Sequence, residues 1–316
     1  MSTDQKTSWS DTFFKTIKNL FYLFLFLAFV PSIIVNLKNV LSDTFFAKAQ
    51  IGYMTLNGDI ADSHHYVKQI EAFAKDNDIK GLLIRINSPG GYAGSSYVLF
   101  NELRKFQEKK PVVAVIENIC ASGAYYAAIT ADTIISSPLA MVGSIGVLMG
   151  IPNVKELMEH WRVHYTYVQS GTYKTTGSPL KDLEPQELTH LQALSDNNYE
   201  QFIKDVAENR SLNIKHATEW ADGKIFTGNQ ALKLHLVDKL GTFKDGLDEI
   251  KRLAKIKDEI QLVQIKKPSL FMRLISGDED DADGQEASAA SVAARFIGDI
   301  YTKLVVQHSS PVITMH

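Results

Sequence analysis

Short apolar runs that end in small-residue turns recur along the first half of the chain, and helical spacing fills the gaps between them. Residues 51–56 open the series as a strand, and residues 61–76 follow with the periodicity of a helix. Leu82-Leu83-Ile84-Arg85-Ile86 then runs into Asn87-Ser88-Pro89-Gly90-Gly91, and Leu99, Leu103 and Phe106 mark the next helix. The same order returns as Val112-Val113-Ala114-Val115-Ile116, a second small-residue turn, and a helix-compatible stretch. Such alternation predicts an α/β fold of parallel strands covered by helices. Farther on, Tyr165-Thr166-Tyr167-Val168 reads as a strand. Pro185 suits the first turn of a long helix that carries Leu188, Leu191, Phe202 and Val206 roughly on one side. That stripe predicts packing against the core or against another subunit.

The two ends have a different character. Residues 20–35 are apolar except for Pro31-Ser32, and with Leu37 they approach the roughly 20 residues needed to cross a bilayer. Lys15 and Lys18 precede the run and favour an orientation with the N-terminus inside. A cleaved signal is the competing reading, because Ala47-Lys48-Ala49 has small residues at suitable relative positions. The length of the run and its distance from that site favour a retained anchor. Beyond Lys267-Pro268, Asp278-Glu279-Asp280-Asp281 begins an acidic, solvated linker. Val292, Phe296, Ile300 and Leu304 then recur with amphipathic spacing. The expected organisation is a short cytoplasmic N-terminus (1–18), a transmembrane signal anchor (19–37), a linker (38–48), a catalytic domain (49–266) and the acidic linker with its helix (267–316).

Composition narrows the classes of function. The chain has 316 residues, 45% of them hydrophobic, enough for a sizeable core. A net charge of −3 gives no electrostatic case for nucleic acid. No phosphate-binding Gly-x-x-x-x-Gly-Lys segment appears, so no nucleotide is expected. The single cysteine, Cys120, lies in an apolar strand and reads as a packing residue. No metal and no cofactor are expected: His160 and His164 are four apart, yet their surroundings complete no metalloprotease signature.

The candidate chemistry lies at the ends of the apolar runs. Ser122, in Ala121-Ser122-Gly123, follows one run directly, and Lys174 stands in Gly171-Thr172-Tyr173-Lys174-Thr175. A serine hydroxyl needs a neighbour to take its proton. A neutral lysine can do so, and burial in an apolar site favours the neutral form. The Gly123 N–H, at the start of a helix, and the Gly91 N–H, in a loop where glycine permits close approach, are candidate oxyanion donors. Together these parts suffice for acyl transfer by a Ser-Lys pair. The nearest histidines after Ser122 are His160 and His164, and both read as ordinary surface or core residues.

The residues that carry this chemistry also carry a resemblance. The chain resembles the signal peptide peptidase A family in its short bacterial form, of the same clan as the Clp protease and crotonase fold. The likeness covers residues 49–265. It runs through Asn87-Ser88-Pro89-Gly90-Gly91, Ala121-Ser122-Gly123, Gly143-Ser144-Ile145-Gly146-Val147, Tyr173-Lys174, Gly223-Lys224-Ile225-Phe226-Thr227-Gly228 and Leu236-Val237-Asp238. It implies a Clp-protease-like spiral of ββα units. By the same likeness Ser122 is the nucleophile, Lys174 the base and Ser144 the hydroxyl that orients the lysine, with Gly91 and Gly123 forming the oxyanion hole. It further implies hydrophobic peptide substrates such as cleaved signal peptides, single-pass anchoring in the cytoplasmic membrane with the catalytic domain outside, and a homo-oligomeric ring. Two positions depart from the family's pattern: Ala124 and His235 stand where glycine is usual. A crotonase-type acyl-CoA enzyme would share the fold and the oxyanion loops but would need neither the Ser-Lys pair nor an anchor. An idle assembly protein would keep the fold without needing the filled catalytic positions.

Overall fold

The computed structural model describes residues 16–24, 26, 30 and 48–265. A mixed α/β sheet organises the folded part. Strands β1 (Ala49–Asn57), β2 (Ile79–Ser88) and β3 (Val112–Ala121) run parallel side by side. Helix α1 (His64–Lys75) connects the first two and α2 (Ala93–Gln107) the second two. This is the expected strand-helix alternation, because a parallel neighbour can be reached only through a crossover.

Strand β3 serves two neighbours. Its first half pairs with β4 (Thr133–Ser136) from Val113 to Ile116, and its second half pairs with β5 (Met141–Gly143) from Ile119 to Ala121. The change of partner places the end of β3 against the end of β5. Helix α3 (Gly123–Ala128) begins directly after β3. Past β5 come α4 (Lys155–His160), the long α5 (Pro185–Arg210), α6 (Ala217–Trp220), β6 (Ile225–Thr227), α7 (Gly228–Lys233), β7 (Lys239–Leu240), α8 (Phe243–Leu253) and β8 (Ile260–Val263). Strand β6 pairs antiparallel with β5, β7 pairs with β4, and β8 closes the far edge on β1.

Both faces of the sheet are covered. On one face Leu82, Ile84, Val112, Ala114 and Ile116 pack with Ile70, Phe73, Leu99, Phe100 and Leu103 of α1 and α2. On the other, Leu83, Val113, Val115 and Ile135 pack with Ile250 of α8. Strands buried on both sides read as unbroken apolar runs, which is why β2 and β3 stand out in the sequence.

Four expectations need separate comparison with the structure. Residues 165–168 form no strand: Tyr165 and Val168 are exposed, and the segment finds no neighbouring strand within the described residues. A strand needs a neighbour to share its backbone hydrogen bonds, and residue types alone do not supply one. In α5 the buried apolar residues, Phe202, Val206 and Ala207, lie in the C-terminal part, while Leu188 near the start is exposed. The expected anchor at 19–37 is helical at 19–24, 26 and 30, and its other positions lie outside the described residues. Among the described residues no helix is long and apolar enough to cross a membrane. The acidic linker and C-terminal helix expected at 267–316 also lie outside them.

Candidate active site

The site forms where β2, β3 and β5 end together. After β2 the chain turns at Gly90, whose φ of +108° lies in the region that glycine adopts freely. Ser88 braces this turn: its Oγ donates to the Gly58 carbonyl at 2.6 Å and accepts from the Gly90 N–H at 3.2 Å. Gly91 then docks beside Ile60 as an isolated parallel bridge. Ile60 N–H donates to the Gly90 carbonyl and Tyr92 N–H donates to the Ile60 carbonyl. A Cβ on Gly91 would press within 2.6 Å of the Ile60 backbone, so only glycine fits.

The second wall is the turn after β3. Ser122 holds φ +49° and ψ −124°, a conformation that L-residues seldom take and that costs on the order of 1–3 kcal/mol. It is held there from both sides: its N–H donates to the Gly143 carbonyl at 2.7 Å, and its carbonyl accepts from Tyr126 N–H at 3.0 Å. The side chain is half-buried and caps no helix end.

The two turns touch. A Cβ placed on Gly90 would lie 2.8 Å from both the Ser122 Cβ and the Gly123 nitrogen, and one placed on Gly123 would lie 3.4 Å from the Gly91 nitrogen. Neither the Gly91 nor the Gly123 N–H has a hydrogen-bond partner among the described residues. Two free N–H groups therefore lie close together beside a strained serine. That arrangement suits an oxygen that gains negative charge when the serine attacks a carbonyl.

Ser144 borders the same turn, since its neighbour Gly143 pairs with Ala121 and accepts from Ser122 N–H. Ser144 also holds a positive φ, +51°, and its N–H donates to the Lys224 carbonyl at 2.7 Å. Lys174 is elsewhere in character. It lies in an exposed turn, where its N–H donates to the Gly171 carbonyl, and its amine makes no hydrogen bond to Ser122 or Ser144 among the described residues. The structure thus brings Gly91, Ser122, Gly123 and Ser144 into one cluster, and does not join Lys174 to it by a bond within the chain.

Of the other candidates, His160 and His164 are exposed and stand outside this cluster. Cys120 is fully buried under the turn, and burial pushes its thiol well above the usual range. That suits packing and opposes thiolate chemistry. One side chain at the site escaped the reading of the sequence. Ser96 of α2 is buried against Gly123. Its signal was present: it shares the helical phase of Leu99, Leu103 and Phe106, so a polar residue occupies an inward-facing position.

Comparison with known proteins agrees with the geometry. Residues 104–257 match the pattern of peptidase family S49. A putative protease of Methanocaldococcus jannaschii is 37% identical over 197 residues, covering 62% of this chain and 63% of the relative. A putative protease of Synechocystis is 40% identical over 197 residues, covering 62% of this chain and 71% of the relative. A putative signal peptide peptidase SppA of Enterococcus faecium is 31% identical over 219 residues, covering 65% of this chain and 64% of the relative. The matched stretch includes the whole of β3, the Ser122 turn and the segment that carries Lys174, and on these grounds the chain belongs to peptidase family S49, a family of serine peptidases.

Proposed function

We propose that this chain is a serine endopeptidase that uses Ser122 as nucleophile and Lys174 as general base. The observation that carries the reading is the meeting of the two turns, which sets a strained serine beside two unpaired N–H groups. In the proposed reaction the neutral Lys174 amine takes the Ser122 Oγ proton as Oγ bonds to the scissile carbonyl carbon. The carbonyl electron pair moves onto oxygen, which the Gly91 and Gly123 N–H groups receive. Collapse breaks the C–N bond, the departing amine takes the proton from Lys174, and an ester remains on Ser122. Water then attacks the ester and gives its proton to Lys174. Collapse of this second intermediate releases the carboxylic acid, and Ser122 regains its proton from Lys174. Ser144 holds the lysine for these transfers, positioning it without itself carrying the proton.

An exposed lysine is a poor base, so the proposal requires a cover over Lys174. We place that cover on a second subunit. Val168 is 99% exposed and Trp161 72% exposed, and Tyr165 and Tyr173 are exposed on the same stretch of chain as the lysine. A ring of subunits that buries these side chains would also desolvate the amine and favour its neutral form. The ββα spiral expected from the family likeness is compatible with this largely parallel sheet. We further propose that residues 19–37 anchor the chain in the cytoplasmic membrane, with the catalytic domain outside and hydrophobic peptides, such as cleaved signal peptides, as substrates.

A fluorophosphonate probe followed by peptide mapping tests the nucleophile. Label on Ser122, loss of hydrolysis in Ser122→Ala, near-loss in Lys174→Ala and retained activity in His160→Ala and His164→Ala are expected. Activity that survives Lys174→Ala and disappears with a histidine would overturn the base assignment. Alkaline carbonate extraction of membranes tests the anchor: the full chain should stay in the pellet, and its release into the supernatant would remove the anchor from the proposal.

A further inference from the structure

Ser96 is 1% exposed, and its Oγ is a fully buried side-chain polar atom that finds no hydrogen-bond partner in the described structure. A buried hydroxyl without a partner forfeits about 1–3 kcal/mol, so a chain that keeps one invites a functional account. Its position supplies that account. Ser96 sits one turn into α2, with its N–H donated to the Tyr92 carbonyl at 2.9 Å. Its side chain fills the space that a Cβ on Gly123 would need: such an atom would collide with the Ser96 Oγ and lie 2.8 Å from the Ser96 Cβ. The same point is 3.4 Å from the Gly91 nitrogen. The unpaired hydroxyl is therefore lodged at the junction of the two candidate oxyanion donors.

The surroundings hold it there. Phe100, one helical turn beyond Ser96, stacks on Tyr126 of α3 with ring centroids 4.7 Å apart, and Tyr126 packs in turn on Phe202 of α5. The Tyr126 hydroxyl donates to Asp205 and the Tyr125 hydroxyl donates to the Leu236 carbonyl at 2.7 Å. Helices α2 and α3 are thus fixed to each other, and the Ser96 side chain cannot drift away from Gly123. Only its proton is free to turn, since a hydroxyl rotates about its C–O bond.

We infer that Ser96 is a positioning residue for the oxyanion: its hydroxyl dipole, fixed in place but free to rotate, supports the Gly91 and Gly123 N–H pair when negative charge develops between them. The inference rests on the proposed role of Ser122 and this donor pair. In the resting enzyme the dipole has no partner, and in the tetrahedral intermediate its positive end turns toward the charge. Support of this kind acts on the transition state and leaves ground-state binding alone. Its loss should cost less than the hundredfold or more that removal of a direct oxyanion donor costs, so a fall of roughly tenfold to a hundredfold in kcat is expected.

The test compares the full-length wild type with Ser96→Ala and Ser96→Cys. Three quantities are read: kcat and KM for a fluorogenic peptide, the affinity of a peptide aldehyde, and the affinity of an uncleaved peptide in a Ser122→Ala background. The aldehyde forms a hemiacetal on Ser122 and places an oxyanion at the site. Expected is a lower kcat with KM within about twofold, a parallel loss of aldehyde affinity, and unchanged binding of the uncleaved peptide. The cysteine variant preserves a side chain of similar shape but donates weakly, so it should resemble alanine. Wild-type kcat in Ser96→Cys would reduce the residue to a steric wedge and overturn the inference. Equal loss of aldehyde and uncleaved-peptide affinity, or a variant too unstable to assay alongside a wild-type-like second variant, would do the same by assigning it a structural role. If Ser122→Ala itself still cleaves peptide, the underlying function fails first, and that result is read before either Ser96 variant.

Discussion

The backbone of Ser122 is a costly feature of the site, and it is costly in a way the sequence did not announce. Ala-Ser-Gly after an apolar strand is compatible with an ordinary turn, and nothing in the residue types requires a serine at φ +49°. One tertiary and one local partner hold the strain: the Gly143 carbonyl takes the N–H of Ser122, and the first turn of α3 takes its carbonyl. Gly91 and Gly123 were legible because glycine at a strand end marks a close approach, whereas Ser144 came forward only through the family likeness. The helical phase of Ser96 signals burial, but which groups it is buried against depends on the fold and is not written in the sequence. The strain gives a stability prediction separate from catalysis. Ser122→Ala and Ser122→Gly should both be inactive, but glycine relieves the positive φ, and that relief outweighs its larger cost in chain entropy. Glycine should therefore be the more stable of the two by about 1 kcal/mol, a difference of about 2–4 °C in melting temperature for a domain of this size. Equal melting temperatures in calorimetry would mean that the backbone at Ser122 is not strained.

At the scale of elements, the alternation of strands and helices was the most legible feature, because buried parallel strands leave apolar runs that little else imitates. Polar contacts between elements were not legible, and Glu249 shows why. It lies on α8, among the polar positions expected of a surface helix, yet it is 6% exposed. Its carboxylate accepts from Arg252 at 2.7 Å and 3.0 Å, from Lys239 of β7 at 2.8 Å and from Thr133 of β4 at 3.0 Å. One acidic side chain thereby ties α8 to two strands. The Arg252 hydrogen bonds, followed by those from Lys239 and Thr133, hold the carboxyl down at about 2, against an ordinary value of 4.5. A depressed carboxyl adds stability above its unfolded-state value and loses it as pH falls toward the folded-state value. The Glu249 contribution should thus be complete near neutrality and fade between about 4.5 and about 2. Glu249→Gln, which retains the shape without the charge, should be less stable than wild type at pH 7, and the two should converge as the solution is acidified. Urea unfolding at a series of pH values measures the gap, and a gap independent of pH would show that the charge of Glu249 is not what joins these elements.

For the molecule as a whole, the single chain explains its nucleophile better than its base. Residues 165–168 form no strand because strand-forming side chains alone do not make one: a ladder needs a neighbouring strand, and the described residues provide none there. The same stretch exposes Trp161, Tyr165 and Val168, and Lys174 follows them in an exposed turn. In the proposed ring, the docking of another copy of the chain would cover these exposed side chains and desolvate the lysine together. If such a ring forms shared sites, the lysine of one subunit serves the serine of its neighbour. Ser122→Ala subunits then still carry an intact Lys174, and Lys174→Ala subunits still carry an intact Ser122. Each is inactive alone, but a mixed assembly contains interfaces where both intact residues meet. Differently tagged mutants should be co-expressed, purified through both tags and assayed for peptide cleavage. Random mixing in equal amounts should return about a quarter of the wild-type activity per subunit, because each site draws its serine and its lysine independently. Doubly tagged assemblies as inactive as either parent would mean that Ser122 and Lys174 work within one chain, and the cover over the lysine would then have to come from elsewhere in the same chain.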